Sequence, residues 1–231
     1  MKAVRGLALA LGLLAGYSAV AQDLSPNAQL LAAARQGDLA TVTRLLDGGA
    51  AVNSRNRLGD TPLLIALKNG YKGVAQLAVE RGADVNLANL SKVTPLMAAS
   101  FSGNADLVKL LLEKGAERSP EDRVGKTAMV YAAGLGHTEV VELLLARGEN
   151  PRAAYKNDLT ALMWAAAYGH TRTVKLLLER GADVDARDNR GKTALAMAVE
   201  GGHRDTEQLL RKAGAAERMP GGRVSGRDSS R

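Results

Sequence analysis

Between Gly136 and Gly148 the chain reads GHTEVVELLLARG. Its apolar residues Val140, Val141, Leu143, Leu144 and Leu145 recur at the spacing of a helical stripe, with Thr138, Glu139, Glu142 and Arg147 at polar positions. Nearly the same phrase, GHTRTVKLLLERG, returns 33 residues later from Gly169 to Gly181. At that interval one glycine column runs Gly37, Gly70, Gly103, Gly136, Gly169 and Gly202, and a second runs Gly49, Gly82, Gly115, Gly148, Gly181 and Gly214. A third column holds Thr61, Thr94, Thr127, Thr160 and Thr193. A 33-residue register kept over six units is the signature of a helix-pair array.

Each unit has local causes for its elements. Thr61-Pro62 and Thr94-Pro95 place a threonine N-cap before a proline at the first helical position, where the missing N–H costs nothing. A short first helix with small packing residues follows (MAAS, YAAG, WAAA, AMAV) and ends at the first glycine column. The apolar-striped second helix ends at the second, where a left-handed residue closes the C-terminus. Sequences such as GADVNLAN and GADVDARD then supply turn chemistry before the next threonine.

These residues resemble the ankyrin-repeat motif G-x-T-P-L-H-x-A-A-x-x-G-H-x-x-V-V-x-x-L-L-x-x-G-A-x-V-N across roughly residues 26–215. GDTPLLIALKNGYKGVAQLAVERGADVN (Gly59 to Asn86) and GKTALAMAVEGGHRDTEQLL (Gly191 to Leu210) are close variants. The resemblance implies an all-α solenoid of about six repeats, each a helix-turn-helix with a β-hairpin loop. The expected units are 24–55, 56–88, 89–121, 122–154, 155–187 and 188–215, within a repeat domain of residues 22–215.

Departures from the motif are specific. Leu64, Met97, Val130, Met163 and Ala196 stand where the family has histidine, so apolar packing is expected to replace that residue's hydrogen bonds. Lys92 and Asp158 replace a hairpin glycine and GENP (Gly148 to Pro151) replaces GADV, which predicts an irregular fourth-to-fifth connection. In the last unit Thr206, Glu207 and Arg211 take positions held by Val140, Val141 and Leu145, as expected of a water-facing cap. Ser25-Pro26 offers a cap for the first helix.

With 46% apolar and 24% charged residues the composition is that of an ordinary globular chain, and cysteine is absent. That excludes disulfides, thiolate metal sites and cysteine nucleophiles. The first residues combine Lys2 and Arg5, an apolar run from Gly6, and Ala19-Val20-Ala21 before Gln22, the three parts of a secretory signal peptide. Cleavage after Ala21 is expected, since the apolar run from Gly6 to Ala21, interrupted by Gly12, Gly16 and Ser18, is too short for a membrane span. Residues 216–231, with Arg218, Arg223, Arg227 and Arg231, read as a disordered basic tail.

Apparent chemistry dissolves on inspection. His137, His170 and His203 each follow the first glycine column, and residues on stacked helices roughly 8–10 Å apart do not share a metal. Gly-Lys-Thr at Gly125 to Thr127 and Gly191 to Thr193 lacks the earlier glycine of a phosphate loop, since Pro120 and Ala186 stand there. No catalytic constellation, cofactor or metal is expected, and the mixed charge of the body argues against nucleic acid.

Function therefore falls to the surface. The resemblance implies protein binding through loop tips and first-helix ends. The candidate partner-contacting residues are Arg57, Leu58, Asp60, Lys68, Leu90, Val93, Phe101, Arg123, Lys126, Leu135, Lys156, Leu159, Trp164, Tyr168, Arg190 and Lys192. Phe101, Leu135 and Tyr168 are candidate anchors, and the basic tips suggest a partner with an acidic face. The expected protein is a monomeric, exported adaptor, in a periplasm first and secreted next, that binds and stabilises or positions an envelope or secreted protein. The alternatives are a secreted effector that blocks a target, and a membrane-tethered scaffold retaining its N-terminus.

Overall fold

A computed structural model describes residues 25–215. The expected leader and basic tail lie outside the described residues.

The described chain is all-α, with twelve α-helices: α1 (Pro26–Gln36), α2 (Leu39–Asp47), α3 (Pro62–Asn69), α4 (Lys72–Glu80), α5 (Pro95–Ser102), α6 (Ala105–Glu113), α7 (Ala128–Gly134), α8 (Thr138–Ala146), α9 (Ala161–Ala167), α10 (Thr171–Glu179), α11 (Ala194–Glu200) and α12 (Arg204–Lys212). Each expected 33-residue unit holds one helix pair. The described residues divide into two compact units, 25–102 with 106–117, and 103–105 with 118–215. In the first, α1 packs on α2 and α3, and α3 on α4 and α5; in the second, α7 packs on α8 and α9, and α9 on α10 and α11.

Local chemistry sets the helix starts. The Ser25 hydroxyl accepts from Ala28 N–H at 3.3 Å, and Thr61, Thr94, Thr127, Thr160 and Thr193 accept from the N–H three residues on at 3.2–3.3 Å. In two repeats the residue in the family's histidine position does more than pack. Met97 Sδ and Met163 Sδ accept from Thr94 N–H and Thr160 N–H at 3.5 Å, so the expectation of apolar packing alone is corrected there.

Histidine and glycine interlock between neighbouring repeats. His170 Nε2–H donates to Gly134 O and His203 Nε2–H to Ala167 O, both at 3.0 Å. Each ring lies over the first-column glycine of the repeat before it. A Cβ on Gly136 would sit 2.5 Å from His170 Nδ1, and one on Gly169 would sit 2.5 Å from His203 Nδ1.

The apolar stripes bury Leu30, Leu63, Leu64, Leu67, Leu96 and Leu111 in the first unit and Met129, Leu144, Leu162, Met163 and Leu177 in the second. The last repeat departs from the expected cap at one position. Thr206 is buried, its hydroxyl 2.7 Å from that of Thr171, because a hydroxyl partner waits on the neighbouring helix; Thr138 and Thr173 repeat the device at 2.8 Å. Glu207 and Arg211 pair with one another at 3.0 Å on the surface side.

The connecting loops are turns, with no β-strand among the described residues and a single isolated antiparallel bridge, Ala154 to Thr160. Asn56, Asn89, Asp122 and Asp188, at one position of the repeat, build four of the five tips. Each side-chain Oδ1 accepts the N–H groups two and four residues on at 2.8–3.0 Å, which closes the tip without a strand ladder. Tyr155 occupies that position in the fifth repeat, and there a 3₁₀ turn (Lys156–Asp158) carries Asn157 and Asp158 at φ 63° and 60°. The predicted irregularity of the fourth-to-fifth connection is thus observed.

That connection also yields a pH test. Burial pushes the Glu149 carboxyl above its ordinary range, with Arg118 partly opposing the shift. Folding therefore favours the protonated acid, and ionisation near neutral pH opposes folding. Glu149→Gln is expected to raise the melting temperature at pH 7. The gain should vanish below roughly pH 4, where the acid is protonated folded and unfolded alike. Thermal melts of both proteins across this range are the check.

Candidate interaction surface

In the second unit, aromatic rings and a lysine gather where first-helix ends meet loop tips. Trp164, on α9, stacks against Tyr168 with ring centroids 6.2 Å apart and planes 11° from parallel. Tyr168, 57% exposed, stands 6.3 Å from the His170 ring, which is itself fixed by its bond to Gly134 O. The Trp164 ring lies over the end of α7, where a Cβ on Gly134 would be 3.5 Å from it, an ordinary contact distance. Lys126, from the fourth-repeat tip, carries its Nζ 4.9 Å from the Trp164 centroid and 5.4 Å from that of Tyr131. The ammonium thus lies on two ring faces, an attractive cation–π arrangement.

Tyr131 is held from the other side by its hydroxyl, which donates to Asp122 Oδ2 at 2.6 Å. Burial, then this bond to a carboxylate, pushes the phenol well above its ordinary pKa. The same Asp122 closes the tip that carries Lys126, so one buried carboxylate positions both partners of the cluster.

Other candidates are distributed as follows. Arg57, Leu58, Leu90, Phe101, Arg123, Leu135, Lys156 and Arg190 are exposed, with Leu58 the most open of the large apolar residues at 65%. The Leu58 and Leu90 tips of the first unit are joined by Leu90 N–H donating to Leu58 O at 3.0 Å. Val93, Leu159 and Trp164 are half-buried.

Asp60 is corrected as an open contact residue. It is 5% exposed, and its Oδ1 accepts from Lys68 Nζ at 2.6 Å and Asn89 Nδ2 at 2.7 Å, so it ties two tips and a helix end together. Of the expected basic tips, Arg190 pairs with Asp188 at 2.8 Å and Lys192 with Glu200 at 2.7 Å, and at a first-helix end Lys68 pairs with Asp60. Burial raises the Asp188 carboxyl, but the Arg190 hydrogen bond and the tip N–H groups outweigh it and hold the group below the ordinary range. Tyr131 is the residue that reading by repeat missed. Its signal was its place 33 residues before Trp164, which puts the two aromatics at one position of adjacent repeats.

A model of ankyrin repeats in three copies matches residues 8–89, 30–122, 72–154 and 129–218. The chain belongs to the ankyrin-repeat family. No curated protein matches it. The ankyrin repeats make it a protein–protein interaction module of a kind that generally binds rather than catalyses. No described helix is long and apolar enough to cross a membrane, and the described residues contain no group of three or more potential metal ligands.

Proposed function

We propose that this ankyrin protein is an exported adaptor, resident in a periplasm, that binds and stabilises or positions one envelope protein. The observation that carries the binding role is the Trp164–Tyr168 stack with Lys126 over Trp164, the lysine's tip closed by Asp122 and the Tyr168 ring exposed. Rigid aromatic anchors with an adjoining cation are the residue types that dominate protein interfaces. Export is supported by Lys2, Arg5, the apolar run and Ala19 to Ala21 in the sequence, together with the absence of cysteine.

The test is affinity capture from an envelope extract with residues 22–231 as bait, beside a Phe101/Leu135/Tyr168 triple-alanine bait. One protein retained by the wild type and lost by the variant supports the adaptor. Identical lists from both baits would reject this face, and a mature mass that keeps residues 1–21 would reject cleavage. A single Tyr168→Ala change is expected to cost under about 1 kcal/mol of stability, since the ring is mostly solvated, while weakening capture. Unfolding by this change would show that the ring is structural.

A further inference from the structure

We infer that the partner segment seated on the second unit is acidic and apolar together: a carboxylate meets Lys126 and an apolar side chain meets the Tyr168 face. This rests on the proposed binding role and narrows it.

Three observations combine. The ring faces of Tyr131 and Trp164 are already covered by the Lys126 ammonium, at 5.4 and 4.9 Å, so a cationic ligand for those faces would first have to displace a tethered one. Lys126 itself is left short of a counter-ion. Asp122, the acid at its own tip, is buried and committed to tip N–H groups and the Tyr131 hydroxyl, while Glu200 and Asp188 are held by Lys192 and Arg190. Among the described residues Lys126, Arg123 and Lys156 have no carboxylate within ion-pair distance, whereas the neighbouring basic positions Arg190 and Lys192 do. Finally, Val124, Leu135 and Tyr168 expose apolar surface in the same unit, at 58%, 42% and 57%.

Lys126 therefore has no carboxylate in ion-pair contact, and it lies in the same unit as exposed apolar surface that water wets at a cost. A partner bearing only carboxylates would leave the apolar part exposed, and one bearing only apolar groups would bury Lys126 without a counter-charge.

Trp164 is the chain's one tryptophan, so its fluorescence reports on this cluster directly. The experiment titrates the mature chain with three capped hexapeptides that alternate leucine with glutamate, with glutamine or with lysine. Saturable change is expected with the glutamate peptide, about tenfold weaker binding with the glutamine peptide, and weakening of the glutamate peptide alone as salt rises from low levels to roughly 0.5 M. Lys126→Met keeps most of the apolar stem and removes the charge. It should bring the glutamate peptide down to the level of the glutamine peptide while leaving the latter unchanged, with Lys126→Gln as a second variant should the first melt early.

Equal affinity for glutamate and glutamine peptides, preference for the lysine peptide, or no saturable change with any of them would overturn the inference. Capture of an envelope partner, lost with the triple-alanine bait, would leave the adaptor reading standing in each of those cases. Acidic discrimination by the peptides combined with failed capture would instead sink the adaptor and leave the acidic-apolar preference intact.

Discussion

Leu144→Ala is expected to destabilise the protein by about 2–5 kcal/mol, the range for leucine truncation in a core that relaxes only partly. Leu144 is wholly buried on α8, which packs against α7 and α10. Because repeat arrays bind neighbour to neighbour, the lost contacts come from the first helix of its own repeat and the second helix of the next. Urea unfolding of the two proteins gives the difference, and a change below about 1 kcal/mol would mean that the stripe is less tightly packed than described.

Gly136→Ala should be comparably severe, for two separable reasons. The residue sits at φ 74°, where an alanine costs about 1–2 kcal/mol through contact of its Cβ with backbone. Its Cβ would in addition lie 2.5 Å from His170 Nδ1, so the ring must move and release its bond to Gly134 O. Loss of that part-buried bond adds about 1 kcal/mol, for a total of roughly 2–3 kcal/mol. His170→Ala removes the second cause only. In the pair Gly136→Ala with His170→Ala, the two costs should therefore be less than additive by about 1 kcal/mol or more. Strict additivity would show that the glycine is needed for its backbone alone.

The framework was legible because its determinants are local and periodic. A threonine hydroxyl reaching an N–H three residues on, or a glycine at positive φ, needs no distant partner, so Thr127 and Gly136 betray a helix start and a turn from sequence alone. The fifth tip was legible only in part: Asp158 stands where glycine is wanted, but so does Lys92 in a regular tip, and what sets the fifth apart is Tyr155 in place of the closing Asn or Asp. What escaped depends on which side chains meet across turns and repeats. Lys68 reaches Asp60 from eight positions away around the start of α3, a distance that charge patterning does not resolve, and so a buried strut read as a contact residue. Thr206 read as a surface cap because its hydroxyl partner, Thr171, lies one repeat back. Tyr131 was absorbed into YAAG as a packing residue; its 33-residue spacing from Trp164 was in the sequence, but the Lys126 ammonium shared by the two rings was not.

The histidine seated on the preceding repeat's glycine has a bearing on how such a chain lengthens. Each 33-residue segment from one histidine to the next carries a plug at its start and a socket near its end, both of the standard kind. A duplicated segment spliced between two such repeats would meet a matching glycine behind it and a matching histidine ahead, so copying in whole periods keeps every junction intact. The joint is not universal, since no ring lies over Gly70, so the histidine seat favours whole-period copying at its own junctions without setting the period of the entire array.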